Sequence, residues 1–332
     1  MRILAVETSC DETGVAIVED GRRIRANVVA TQLAHERTGG IVPEVAAREH
    51  LRAVDPLTEQ ALRDAGMDLS AVDAIAATVG PGLVGALLVG ANYARGLALA
   101  AGLPFVGVNH LEGHVYANWL YDTEDVPPEP EIPSVVLVVS GAHSDLVLME
   151  AHRRFRLLGR TIDDAAGEAF DKVARLLGLG FPGGPEIERV ARDGDPAAYP
   201  LPKAWLADRY DFSFSGLKTA VLRLVRTLEA KGPVPVADVA ASFQKAIVDA
   251  LAEKTARAAA EHGVRAVLLG GGVAANGPLR AEIARRIGMP LRVPPPRLCT
   301  DNGAMIGAAA FFSLRHRGAE MPLGVRSDLP LA

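Results

Sequence analysis

The sequence predicts an α/β protein made of two similarly built halves, and three observations carry that reading. Gly numbers 33 while aromatics make up only 5% of the chain, so the core is built from Ala, Val, Leu and Ile with many tight backbone turns between elements. At 332 residues, with 49% hydrophobic and 23% charged, the chain has an ordinary globular composition and ample material for a core. A trio of short apolar strands, followed by alternating helix and strand patterns, occurs twice.

In the first half, 3–7 is a β-rich run, 8–13 a polar turn, 14–19 a second apolar strand and 22–29 a third. A helix over 43–65, a strand over 74–79, a helix over 83–101 and a strand over 105–108 follow. The second half repeats the trio at 135–139, 146–150 and 154–158, with its turn at 140–144. Helices are then predicted over 165–177, 236–262 and 278–287, and strands over 266–269 and 291–293. Antiparallel strands leading into βαβ crossovers, twice over, imply two mixed sheets covered by helices, with a ligand cleft expected between the halves. The domains are read as 1–121 and 134–332, joined by a Pro- and acid-rich linker over 122–133. The stretch 178–235 breaks the repeat and is read as an inserted helical subdomain.

A formal charge of −5 argues against a surface that holds nucleic acid by bulk electrostatics. Basic clusters remain at Arg22, Arg23 and Arg25, over 152–160 and over 315–317, and their plain reading is a solvated strand edge or helix end. Only Cys10 and Cys299 occur, which favours a cytoplasmic protein without a disulfide framework. The opening run is too short for a signal peptide and carries Glu7 inside it. The uncharged run 74–94 contains Gly80-Pro81-Gly82 and reads as strand, turn and small-residue helix rather than a membrane span.

The turns at 8–13 and 140–144 each offer closely spaced backbone N–H groups of the kind that wrap phosphates, although Ser, Asp and Gly are also what plain hairpins use. At 268–276 a strand runs through three glycines into a helix start, where Asn276 serves as a cap or as a ligand contact. His110 and His114 stand four apart on one helix face, where both reach one metal ion, or else form a helix-surface pair. Asp301, at a loop-to-helix junction, offers a third hard ligand. Two His and one carboxylate with open positions suit iron(II) or zinc used as a Lewis acid. Zinc peptidases with paired His place a Glu directly after the first His or directly before the second; Glu112 is in neither position and is expected to point away.

Taken together, these segments resemble the TsaD family, the tRNA N6-adenosine threonylcarbamoyltransferases. The resemblance spans nearly the whole chain: ETSCDET from Glu7, GGIVPEVAAREH from Gly39, GPGLVGALLVG from Gly80, HLEGH from His110 and VVSGAHS from Val138. It continues through DDAAGEAFDK from Asp163, FPGGPEIE from Phe181, FSFSGLKT from Phe212, GGGVAAN from Gly270 and TDNGAM from Thr300. It implies an actin-like, Hsp70-like ATPase fold of two duplicated domains. It also implies that His110, His114 and Asp301 bind the metal, and that Val138, Val139, Ser140, Gly141 and Ala142 contact the phosphate and threonylcarbamoyl region of the substrate. Asp171, Gly184, Glu188 and Asn276 would hold the nucleotide part of threonylcarbamoyl-AMP, carboxylates being apt partners for ribose hydroxyls. One departure is Ala142, where the family usually has a second glycine. A methyl group clashes there if φ must be positive, so a slightly different backbone or ligand position is expected. Val138 stands where archaeal and eukaryotic relatives often have Tyr, which marks the chain as bacterial in type.

The reaction implied moves threonylcarbamoyl onto the N6 amine of the adenosine 3′ of the anticodon, in tRNAs reading codons that start with A, and releases AMP. Asp11 or Glu12, in the first polar turn, is the expected acceptor of the amine proton. Expected partners are tRNA, a smaller paralogous subunit docking on the apolar N-terminal half, and a small ATPase; no membrane association is expected. The competing readings are an ATPase or kinase of the same fold, a silent scaffold, and a metallopeptidase. A kinase clusters cations on its phosphates, yet neither polar turn holds a Lys or Arg.

Overall fold

The computed structural model describes residues 1–32, 41–203, 210–316 and 324–332, which fall into two units. The first comprises Met1–Pro130, Ala151–Phe155 and Arg297–Ala332; the second comprises Glu131–Glu150 and Arg156–Pro296. Gly39, Gly40 and part of the insertion read at 178–235 fall outside the described residues, as does Arg317 of the third basic cluster.

The first unit is built on β1 (Arg2–Glu7), β2 (Glu12–Glu19), β3 (Arg23–Thr31), β4 (Ala74–Gly80) and β5 (Phe105–Asn109), in the order β3-β2-β1-β4-β5. Its helices are α1 (Pro43–Ala65), α2 (Val84–Ala101), α3 (His110–Tyr116), α9 (Pro296–Cys299) and α10 (Gly303–Arg315). β1 runs antiparallel to β2 and parallel to β4, so the sheet is mixed. Strand alternation sends Leu4 and Val6 toward Val54 and Ala61 of α1 and Ala94 and Ala98 of α2. Ala5 and Val18 lie against α10, where a Cβ on Gly307 would approach Val18 to 2.8 Å and one on Gly303 would approach the Ala16 nitrogen to 2.6 Å. These two glycines therefore set how closely α10 lies on the sheet. By length and composition α2 could cross a membrane. It instead turns a small-residue face, Ala86, Gly90, Ala91 and Ala94, onto β4 and α1.

The second unit is built on β6 (Ser134–Val139), β7 (Ser144–Ala151), β8 (Arg154–Arg160), β9 (Ala266–Gly270) and β10 (Leu291–Arg292), in the order β10-β9-β6-β7-β8. Read from its β8 edge, that order matches the first sheet strand for strand. β6 and β9 are buried along their whole length, which requires cover on both faces. The helices are α4 (Ala166–Leu176), α5 (Gly183–Ala191), α6 (Ser215–Glu229), α7 (Val236–Glu261) and α8 (Gly277–Arg286).

Three expectations are corrected. Residues 297–332 belong to the first unit rather than to a domain running over 134–332, because α10 is apolar on nearly every side and buries itself between α3 and the first sheet. The described part of 178–235 is not a separate subdomain: α5 and α6 present amphipathic faces to α4 and α7 and complete the second unit's helical layer. The polar turns are also shorter than expected. Glu12 and Thr13 pair with Thr31 and Ala30, and Ser144 pairs with Val139, so all three sit inside strands.

Candidate active site

β5 ends at Asn109, whose side chain accepts the Leu111 amide at 2.8 Å and the Glu112 amide at 3.4 Å, and this cap starts α3 at His110. His114 follows one turn later on the same face, with ring centroids 4.7 Å apart. His110 is 7% exposed and His114 is wholly buried, so the pair is not a helix-surface pair. Asp301 comes from the short link between α9 and α10. Its neighbour Asn302 caps α10 by accepting the Met305 amide at 3.0 Å, which fixes where the carboxylate emerges. Asp301 Oδ1 lies 3.5 Å from His110 Nε2 and 3.3 Å from His114 Nε2.

These three residues offer a metal-binding triad, their ligand atoms all within 4.8 Å of one another. Two atoms bound to one ion at about 2.1 Å each sit about 3.0–3.4 Å apart, close to both His–Asp separations. Neither ring nitrogen of His114 is hydrogen-bonded among the described residues, although the ring is fully buried. Burial holds His114 below its ordinary value, in the neutral state that ligates. Burial also acts to lower His110, but the charges of Asp301 and Glu7 outweigh it and raise the group to about 9.

The surrounding acids come from the turn after β1 and the start of β2. Burial first, then the charges of Asp301, Asp11 and Glu7, push Glu12 up to about 10. Burial, Asp11 and Asp301 likewise push the Cys10 thiol up. Asp11 and Glu12 thus share the electrostatic environment of Asp301, and a divalent cation in the triad would offset the crowding of like charge. Glu112 takes no part: its Oε2 lies 3.4 Å from Arg153 Nε in a buried ion pair, so it faces away from the imidazoles as expected. Among the described residues the peptidase arrangement is absent.

Three first-unit residues that sequence reasoning gave no role belong here. Glu7 is fully buried and bonds Ser9, Thr78 and His110, while His50 of α1 bonds Cys10 and Thr13. The signal for Glu7 was a carboxylate inside an apolar strand. Thr78, in a wholly buried strand, gave none.

In the second unit, the turn after β6 is held by the Ser140 amide donating to the His143 carbonyl at 2.8 Å and the His143 amide donating to Ser140 Oγ at 3.2 Å. Gly141 and Ala142 are exposed, and Ala142 is not among the described residues with positive φ, so its methyl group is accommodated. Val138 and Val139 have wholly buried side chains and can offer a ligand only backbone. Gly271, at φ 88°, presses on the Val139 carbonyl so closely that a Cβ has no place.

Asp171 accepts the Gly183 amide at 2.7 Å, tying α4 to the first turn of α5, and Gly184 beside it has open space above its Cα. One turn on, Glu188 Oε2 accepts from Asn276 Nδ2 at 3.1 Å. Asn276 caps α8 through the Leu279 amide at 3.0 Å, and its Nδ2 also donates to Gln244 at 2.9 Å. α5 therefore brings Asp171, Gly184, Glu188 and Asn276 into one neighbourhood.

The first two basic clusters are partly paired with acids among the described residues. Arg22 pairs with Glu129 at 3.1 Å, Arg25 with Glu19 at 3.5 Å, and Arg156 with Glu150 at 3.4 Å.

Comparison with known proteins agrees. Two solved structures resemble the fold: HypF from T. kodakarensis (TM-score 0.61, 16% identical, covering 95% of this chain and 48% of that one) and the (R)-2-hydroxyglutaryl-CoA dehydratase component A from Acidaminococcus fermentans (TM-score 0.56, 16% identical, 95% and 100%). The fold is thus actin-like, and it carries a candidate His–His–Asp metal triad. The family model for TsaD, tRNA N6-adenosine threonylcarbamoyltransferase, matches residues 23–308. Proteins of that name from Thermomicrobium roseum (53% identical, 100% of this chain, 97% of the relative) and Bacillus subtilis (52% identical, 96% and 93%) are similar throughout. The chain belongs to the TsaD family of transferases.

Proposed function

We propose that the chain transfers threonylcarbamoyl from threonylcarbamoyl-AMP to the N6 amine of the adenosine 3′ of the anticodon, in tRNAs reading codons that begin with A. The observation that carries this reading is the buried triad of His110, His114 and Asp301 in a chain of this family. His110, His114 and Asp301 would hold the ion, iron(II) ahead of zinc on the donor set of two imidazoles and a carboxylate, which would supply Lewis-acid polarisation of the carbamoyl oxygen.

The amine nitrogen forms a bond to the carbamoyl carbon, the bond from that carbon to the phosphate oxygen breaks, and AMP leaves with the electron pair. Asp11 receives the amine proton, or Glu12 does once a cation in the triad offsets the like charge that keeps its carboxyl protonated, roles supported by their place beside Asp301. Asp171, Glu188 and Asn276 hold the nucleotide, with Gly184 giving open approach, and the backbone of Val138, Val139, Ser140, Gly141 and Ala142 holds the phosphate and acyl region.

For partners, α1 and α2 form an apolar groove of about 430 Å³ lined by Leu51, Leu88, Val89 and Tyr93 among others. Leu51 is 66% exposed and Leu88 43%, and this face is the docking site for the smaller paralogous subunit. A small ATPase completes the assembly, which works in the cytoplasm.

The test supplies purified threonylcarbamoyl-AMP without ATP to the chain and its partner subunits, and follows the modified nucleoside in tRNA over a single turnover. Modification is expected with the native chain and none with Asp301→Ala. No modification by the native chain would end the transferase reading.

A further inference from the structure

We propose that Glu7 is a positioning residue that fixes the tautomer of His110, keeping its proton on Nδ1 so that Nε2 is free for a divalent cation. The inference rests on the metal reading of the triad and adds a residue outside it.

Glu7 ends β1 with no exposure to solvent, where an unpartnered carboxylate would be costly. It is instead fully engaged. Oε1 accepts the Ser9 amide at 2.5 Å, and Oε2 accepts the Thr78 hydroxyl at 2.5 Å and faces His110 Nδ1 at 3.1 Å. Ser9 Oγ lies 3.1 Å from the same nitrogen. An ionised carboxylate only accepts, so the proton between Glu7 and His110 belongs to Nδ1. Nε2 points at Asp301 Oδ1, 3.5 Å away, and is the nitrogen whose lone pair a cation seated between them would take up, displacing any proton held there. Nδ1 of His114 makes no such bond among the described residues, so the two imidazoles are held differently. A partner that fixes the non-ligating nitrogen orients a metal-bound His and raises its basicity.

Glu7→Gln keeps the shape and reverses the logic. The Ser9 amide is a fixed donor, so the Gln oxygen must face it and the Gln NH2 must face Thr78 and His110. Nδ1 then accepts, the ring proton moves to Nε2, and that position is blocked. Thr78→Val leaves the Glu7–His110 bond in place.

The experiment uses the full chain, Zn(II) as probe, chelator competition for affinity, and proton–nitrogen NMR of the histidine-labelled, Zn(II)-loaded protein. Native protein is expected to take up Zn(II) and to show a protected His110 Nδ1–H resonance downfield of the amides. Glu7→Gln should lose that resonance and bind Zn(II) about 10–100-fold more weakly, and Thr78→Val should keep the resonance and lose less than about tenfold. Should Glu7→Gln fail to fold, the native spectrum still decides, because a His110 proton on Nε2 overturns the proposal. Equal Zn(II) affinity in native and Glu7→Gln protein overturns it too. Failure of the native chain to take up Zn(II) would bring down the metal reading itself.

Discussion

His50 on α1 donates from Nε2 to the carbonyl oxygen of Cys10 at 3.0 Å, and so anchors the turn that carries Asp11 and leads into β2 at Glu12. With the proton on Nε2, Nδ1 accepts the Thr13 hydroxyl at 2.8 Å, so one buried ring satisfies one group of the turn and one of β2. His50→Ala leaves both without that partner and opens a cavity. It should cost about 2–4 kcal/mol, read as a lower urea midpoint, together with slower transfer. A variant as stable as the native chain would show that the turn holds itself.

The triad predicts a separation of binding from folding. Asp301→Asn and His114→Ala should each weaken Zn(II) binding at least tenfold by chelator competition. Asp301→Asn should leave the fold within about 1 kcal/mol of native, because that side chain is 18% exposed and lies in a link rather than a core. Undiminished Zn(II) affinity in Asp301→Asn would remove the carboxylate from the ligand set.

Much of this was legible in the sequence. The helix over 43–65 matches α1 residue for residue because it is long and opens on Pro43. The His pair was visible because α3 spaces the two rings by one turn. What could not be read were relations made by pairing and packing. Glu12, Thr13 and Ser144 look like turn residues and are drawn into strands by their ladder partners. α10 reads as a second-half helix, yet its glycines and apolar faces fit the first sheet, and this return is what brings Asp301 to the histidines. The bonds of Glu7 to Thr78 and of His50 to Cys10 join residues distant in the chain, and no local spacing marks them.

Stability in acid should follow Asp164. Burial works to raise this carboxyl, but hydrogen bonds from Lys218 at 2.6 Å and Lys172 at 3.0 Å outweigh it and hold the group below the usual carboxylate range. A folded value below the unfolded one of about 3.9 means that the contribution is complete above that pH and is lost as pH falls through the folded value. Asp164→Asn should therefore lower the urea midpoint at neutral pH and flatten its decline below about pH 4. An unchanged acid limb would show that other carboxylates govern it.

The α1–α2 groove makes a prediction about assembly. Leu51→Arg places a charge on a site that is 66% exposed, so stability should stay within about 0.5 kcal/mol. Co-purification with the smaller subunit should be lost while Zn(II) affinity is retained. Retained co-purification would move the docking surface elsewhere.

Asn276 separates a structural role from a ligand role, because its two side-chain atoms do different work. Oδ1 caps α8, and Nδ2 joins Gln244 to Glu188. Asn276→Ala loses both and should cost about 0.5–2 kcal/mol as a lost cap. Asn276→Asp keeps an acceptor at the helix start, where negative charge is favourable, so its fold should survive. Its second oxygen, however, takes the place of the Nδ2 that stands 3.1 Å from Glu188 Oε2. Gln244 can turn its amide to donate, but Glu188 cannot, and two carboxylates at that distance resist joint ionisation. If this neighbourhood holds the ribose, Asn276→Asp should bind AMP at least tenfold more weakly at neutral pH and recover part of that loss as pH falls and a shared proton relieves the repulsion. Calorimetric titration with AMP at several pH values, run beside urea unfolding of the same variants, reads both effects. Native-like AMP binding by Asn276→Asp at every pH would place the nucleotide away from Glu188 and Asn276, and leave the pair as an α5–α8 tie alone.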